Sequence, residues 1–190
     1  MNFGEELCGE WLRHIRGCEF IQYNLQMSHT HGEIDVIGLN LVERTLYVCE
    51  VAVHLTTGLQ YVKDRRPDNV ARLIAKFSKD IEWARGRFPD YRHVFMLWSP
   101  IVKGRTENPV YNQVGHVQEV ERTILSETGV ALELVINDAF LRAIEDLRAF
   151  AGKQSKELDS PVMRLLQVEA YLRRHLERNG ARKETTRATG

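Results

Sequence analysis

Three cysteines in 190 residues, Cys8, Cys18 and Cys49, are too few and too irregularly spaced for a disulfide framework or a zinc knuckle. They read as buried free thiols in a reducing cytoplasm. No run of about eighteen apolar residues occurs, which argues against a membrane-spanning helix. The residues before Arg13 include acids and no base, unlike a secretory leader. An excess of one charge is also missing. Lys plus Arg number 26 and Asp plus Glu number 26, so no global basic field announces nucleic acid. That balance still leaves room for an acidic catalytic centre inside a locally basic groove. There is no internal repeat and no low-complexity linker.

Periodicity supplies the elements. Phe3, Leu7, Trp11 and Ile15 recur at helical spacing, with Gly17 as a stop. Cys18 to Leu25, Ile34 to Leu39 and Thr45 to Val53 read as three strands, the last two joined by a turn at Asn40 to Arg44. Pro67 to Phe88 reads as one long helix, with Pro67 in its first turn and Val70, Leu73, Ile74, Phe77, Ile81 and Ala84 on one apolar face. His93 to Trp98 is a fourth strand, Gln113 to Glu127 a helix and Val130 to Ile136 a fifth strand. Two helices follow, one to about Phe150 and one from Ser160 to Glu177. The expected organisation is an α/β domain over 1–150, a helical extension over 151–178, and a disordered tail over 179–190.

The chemistry concentrates in Gly32-Glu33-Ile34-Asp35-Val36-Ile37-Gly38 and Leu46-Tyr47-Val48-Cys49-Glu50-Val51. Asp35 and Glu50 are carboxylates inside apolar strands. Burying one without a partner costs several kcal/mol. A hairpin can bring both to one point, where a hard divalent cation with oxygen ligands would relieve their repulsion. A solvent-facing Asp35 and a Glu50 paired with arginine would be the ordinary alternative.

These two segments, in the order helix, three strands, helix, strand, make the chain resemble the PD-(D/E)xK nuclease superfamily. The likeness is to its restriction-endonuclease-like and Holliday-junction-resolvase-like branches. It covers about Phe3 to Ala84, and Gly32 to Gly38 is its specific part. The resemblance implies a restriction-endonuclease-like αβββαβ core with a mixed central sheet and additional C-terminal helices. It implies that Asp35 and Glu50 hold Mg²⁺ or Mn²⁺ with the backbone carbonyl of Val51, and that Glu6 or Glu10 of the first helix supports the site. Glu6 is favoured because Gly9 follows it by three.

One departure matters. The family's lysine falls two residues after the glutamate, where this chain has Ala52. Either the ammonium has moved, with Lys76 and then Lys79 of the following helix as candidates and Lys63 less well fixed, or the domain binds without cutting. The expected function is therefore a metal-dependent DNA endonuclease. The alternative is a non-catalytic nuclease-like module that binds nucleic acid or a protein.

Other residues carry weaker signals. His54 lies four residues after Glu50, on the same strand face if the strand continues. His29 and His31 lack a second ligand pair at zinc spacing. Arg173, Arg174, Arg178, Arg182, Lys183 and Arg187 form a basic C-terminal cluster suited to phosphates or to plain solvation. The expected partner is nucleic acid, DNA rather than RNA, with a homodimer as one way to complete the groove.

Overall fold

A computed structural model describes residues 2–27, 32–104 and 109–188, side chains excepted at 109 and 180–188. Helix α1, Phe3–His14, begins at Asn2. The Asn2 side chain accepts the backbone N–H groups of Gly4 and Glu5, while the Glu5 carboxylate accepts the N–H of Asn2. This reciprocal capping satisfies donors that a helix start otherwise leaves orphaned. Gly17 then takes a left-handed φ of 67° and turns the chain into the sheet.

Three antiparallel strands follow: β1, Phe20–Gln26; β2, Glu33–Asn40; and β3, Thr45–Val51. A short hairpin, β4 at Val62–Lys63 and β5 at Arg66–Pro67, turns through Asp64 and Arg65, both at positive φ. Helix α2, Asn69–Arg87, carries the chain back to β6, Arg92–Ser99, which runs parallel to β3. Helix α3, Gln113–Thr128, ends on left-handed Gly129 and leads to β7, Leu132–Ile136, parallel to β6. Helices α4, Asp138–Lys153, and α5, Pro161–Ala188, complete the chain. The fold is mixed α/β around a five-stranded sheet of order β1-β2-β3-β6-β7.

Every residue of β3 is buried, as expected for a central strand covered on both faces. On one face Leu46, Val48 and Ala52 meet Leu73, Phe77 and Ile81 of α2, and Val117, Val120 and Ile124 of α3. On the other, α1 closes on the sheet at two places. Its Gly4 sits against Val51 and Val53, and its Trp11 meets Trp98 edge-on at 5.3 Å. Two compact units are formed, Met1–Ala143 and Ile144–Gly190, and α4 runs across their division.

Two elements differ from the sequence reading. Pro67 belongs to the β4–β5 hairpin rather than to the first turn of α2. The helix starts at Asn69, whose side chain accepts the Tyr61 N–H and donates to the Leu59 carbonyl, tying the hairpin to the helix. At the other end, α5 continues past Asn179 to Ala188, where a disordered tail was expected. Residues 189–190 lie outside the described residues. Among the described residues, no helix is long and apolar enough to cross a membrane.

Candidate metal centre

The β2–β3 register pairs Val36 with Cys49, so the next residues outward, Asp35 and Glu50, stand opposite each other. Strand alternation places both on the α2 face, beside Ile37 and Val48. Asp35 Oδ2 accepts the backbone N–H of Val51 at 2.7 Å, which fixes the carboxylate toward the end of β3. Glu50 is fully buried, and its Oε1 has no hydrogen-bond partner among the described residues.

Lys76 enters from α2. Its ammonium forms an ion pair with Glu50 Oε2 and lies 3.7 Å from Asp35 Oδ1. Ala52, on the same sheet face two residues after Glu50, is buried apolar surface. The helix packed above β3 thus brings an ammonium to the carboxylate pair. The Lys76 side chain is 28% exposed, and its head reaches the carboxylates.

Asp80, one helical turn beyond Lys76, is a component that the sequence reading missed. It is 1% exposed, and its Oδ2 has no hydrogen-bond partner among the described residues. Its position inside the apolar stripe, between Phe77 and Ile81, was the available signal.

The electrostatics follow from burial. Desolvation pushes the Glu50 carboxyl well above its usual range, the Asp35 charge adds to this, and Lys76 opposes it. Burial also raises Asp35, against the pull of Lys76 and of the Val51 N–H. Burial pushes Asp80 up to about 7, although the neighbouring Glu50 side chain and the Lys76 charge pull it down. For Lys76, burial disfavours the charge, but Glu50 and Asp35 outweigh it and hold the ammonium up to about 12. Three carboxyls therefore share one ammonium in a largely water-excluded corner. When all are ionised the group is short of positive charge by two, the charge of one divalent cation.

The remaining candidates divide clearly. Val51 joins the pair through its N–H, and its carbonyl belongs to the residue directly after Glu50. Glu10 is paired with His14 at 3.0 Å, and the charges of Glu10 and Glu6 are felt at Tyr23. The α1 glutamate whose charge reaches Asp35 is instead Glu5, which also caps Asn2 and accepts from Asn24 Nδ2 at 3.3 Å. Its signal was the Asn-x-x-Glu spacing at the chain start. Lys79 is exposed, with its charge felt at Asp80. Lys63 is exposed on β4. β3 ends at Val51, so His54 is not on the strand but exposed in the turn that follows. His29 and His31 lie outside the described residues. In the C-terminal cluster, Arg173 is paired with Glu169, and Arg174 donates to the Gly152 carbonyl and stacks on Tyr171. The side chains of Arg182, Lys183 and Arg187 lie outside the described residues.

Among the described residues no three His, Cys, Asp or Glu side chains form a ready metal cage. Mg²⁺ does not need one, since it commonly takes one or two carboxylates and completes its octahedron with water and substrate phosphate. Asp35 and Glu50, with the Glu50 Oε1 buried and without a hydrogen-bond partner among the described residues, fit such an ion. Compared with family models, curated proteins and solved structures, the chain finds no match in any of the three.

Proposed function

We propose that this protein is a metal-dependent endonuclease of the PD-(D/E)xK type, acting on DNA, with Asp35, Glu50 and Lys76 at its centre. The observation that carries this reading is the approach of Lys76 to both carboxylates, from a helix, in a chain where Ala52 stands at the usual lysine position. A bound Mg²⁺ or Mn²⁺ would acidify water and offset charge on the attacked phosphate. Asp35 and Glu50 would hold the ion, with the Val51 carbonyl beside them and the Val51 N–H keeping Asp35 aimed. Lys76 would orient the attacking water and offer its ammonium to the phosphate oxygens. Asp80 would keep Lys76 and Glu50 in place from behind. Glu6, Glu10 and Lys79 have no part in this scheme.

The zero net charge resolves into local fields. Lys63, Arg65 and Arg66 on the β4–β5 hairpin and Arg72 on α2 are exposed on the elements that lead to Lys76. Such a rim suits phosphate contacts around an acidic centre. The buried free thiols of Cys8, Cys18 and Cys49 support a cytoplasmic location.

A second reading, a nuclease-like module that binds without cutting, is favoured by the same ion pair. An ammonium already seated on Glu50 can serve structure alone. Cleavage assays separate the two. Mg²⁺- or Mn²⁺-dependent cutting of single-stranded, duplex or branched DNA is expected, and its absence on every DNA and RNA substrate hands the lead to the binding module.

A further inference from the structure

Beyond the carboxyl ends of the parallel strands β3 and β6 lies a cavity of about 300 Å³. Sites in open α/β sheets favour this position. Thr56, Thr57, Asn69, Lys103, Gln113 and His116 contribute to its wall, and among the described residues no aspartate or glutamate does. Its frame is braced. Gln113 accepts the Lys103 N–H at 2.9 Å and donates to the Thr57 carbonyl at 2.9 Å. Gly58, at φ +72°, lies so close that a Cβ there would come within 2.5 Å of the Gln113 side-chain oxygen.

The donors on this wall have a definite sense. Asn69 Oδ1 accepts from Tyr61 and Nδ2 donates to Leu59, so the amide cannot be turned over. The same Nδ2 faces His116 Nδ1 at 3.2 Å, so Nδ1 is the acceptor and Nε2 carries the ring proton. Lys103 spends one ammonium proton on the Thr56 carbonyl and keeps two donors. A cavity with an ammonium, an imidazole N–H and the Thr56 hydroxyl, the Thr57 hydroxyl being turned to the Gly58 carbonyl, and without a carboxylate among the described residues, selects an anion rich in acceptor oxygens.

Geometry links the cavity to the metal centre. Asn69 and Lys76 are seven residues apart on one face of α2, a rise of about 10 Å. A nucleic-acid strand crossing that distance presents several phosphates, one per about 3.4 Å of axis. Tyr111 also lines the cavity and is exposed enough for a base to stack on it.

We propose that this cavity binds a non-scissile phosphate of the substrate strand, and so sets where the strand lies over Asp35 and Glu50. The assignment of the occupant to a strand rests on the nuclease reading; the phosphate chemistry does not. NMR of the wild-type protein titrated with inorganic phosphate should move the His116 ring signals, and Asp35→Asn should abolish Mn²⁺ binding without altering that response. Lys103→Ala should weaken binding of a labelled oligonucleotide in Ca²⁺ by about tenfold and lower the salt slope by about one, with Mn²⁺ affinity unchanged. Unmoved His116 signals overturn the site. A phosphate response with oligonucleotide affinity unchanged in Lys103→Ala assigns the cavity to free phosphate and overturns the strand. Phosphate and oligonucleotide binding as expected, but no metal binding or cleavage, removes the nuclease reading alone.

Discussion

Lys76 and Asp80 show how single residues divide the work at this site. Both come from α2 and lie one turn apart, yet one is partly exposed and brings its charge to the carboxylates while the other is sealed. Burial pushes the Asp80 carboxyl up to about 7 in the folded protein, against an ordinary value of 3.8. Between those values the folded state holds more protons than the unfolded one, so stability falls as pH rises from about 4 to about 7 and stays low above it. Asp80→Asn removes that loss. In chelator at pH 8 the variant should melt above the wild type, and at pH 4 the two should nearly coincide; thermal melts at both values decide. Asp35 and Glu50 were legible in the sequence because a carboxylate in an apolar strand is conspicuous. Asp80 was not, because one acid in a helical apolar stripe looks like an ordinary edge residue. Glu5 was passed over because Glu6 and Glu10 share a helix face, a regularity that the capping geometry overrides.

At the scale of elements, local patterning carried most of the fold. The strands β1, β2, β3, β6 and β7 and the helices α1 to α4 lie within a few residues of where periodicity puts them. The exception is the β4–β5 hairpin. Pro67 preceding an amphipathic run resembles a helix start, but four residues on two-residue strands have no periodicity to read. What places the hairpin is Asn69, through a tertiary bridge to Tyr61 and Leu59. Asn69→Ala should therefore orphan a buried N–H and a carbonyl and cost about 2–3 kcal/mol in denaturant unfolding. A change within about 0.5 kcal/mol, the size expected of an uninvolved surface position, would contradict that role. His54 was misplaced for a related reason: β3 stops at Val51, where the chain leaves the sheet.

For the molecule as a whole, the charge balance concealed an uneven distribution, with a buried acidic corner and basic residues on the hairpin and helix leading to it. A divalent ion bound there should be coupled to folding, because it binds the native arrangement and not the unfolded chain. At a hundred times its dissociation constant, Mn²⁺ should add about 2.7 kcal/mol of stability. Asp35→Asn should melt at or above the wild type in chelator, since repulsion from Glu50 is relieved, and should lose the metal-induced increase. A fall of several degrees in chelator would instead make the Lys76 contact a structural salt bridge.

The central claim is that the ammonium absent at Ala52 is supplied by Lys76, and cleavage of a labelled DNA panel in Mn²⁺ tests it most directly. The wild type should cut at least one single-stranded, duplex or branched substrate. Lys76→Ala should cut about ten- to a hundredfold more slowly, the scale of losing one charge-stabilising group, without weaker metal binding, while Lys79→Ala keeps the wild-type rate. Wild-type cleavage that survives Lys76→Ala undiminished would contradict the account.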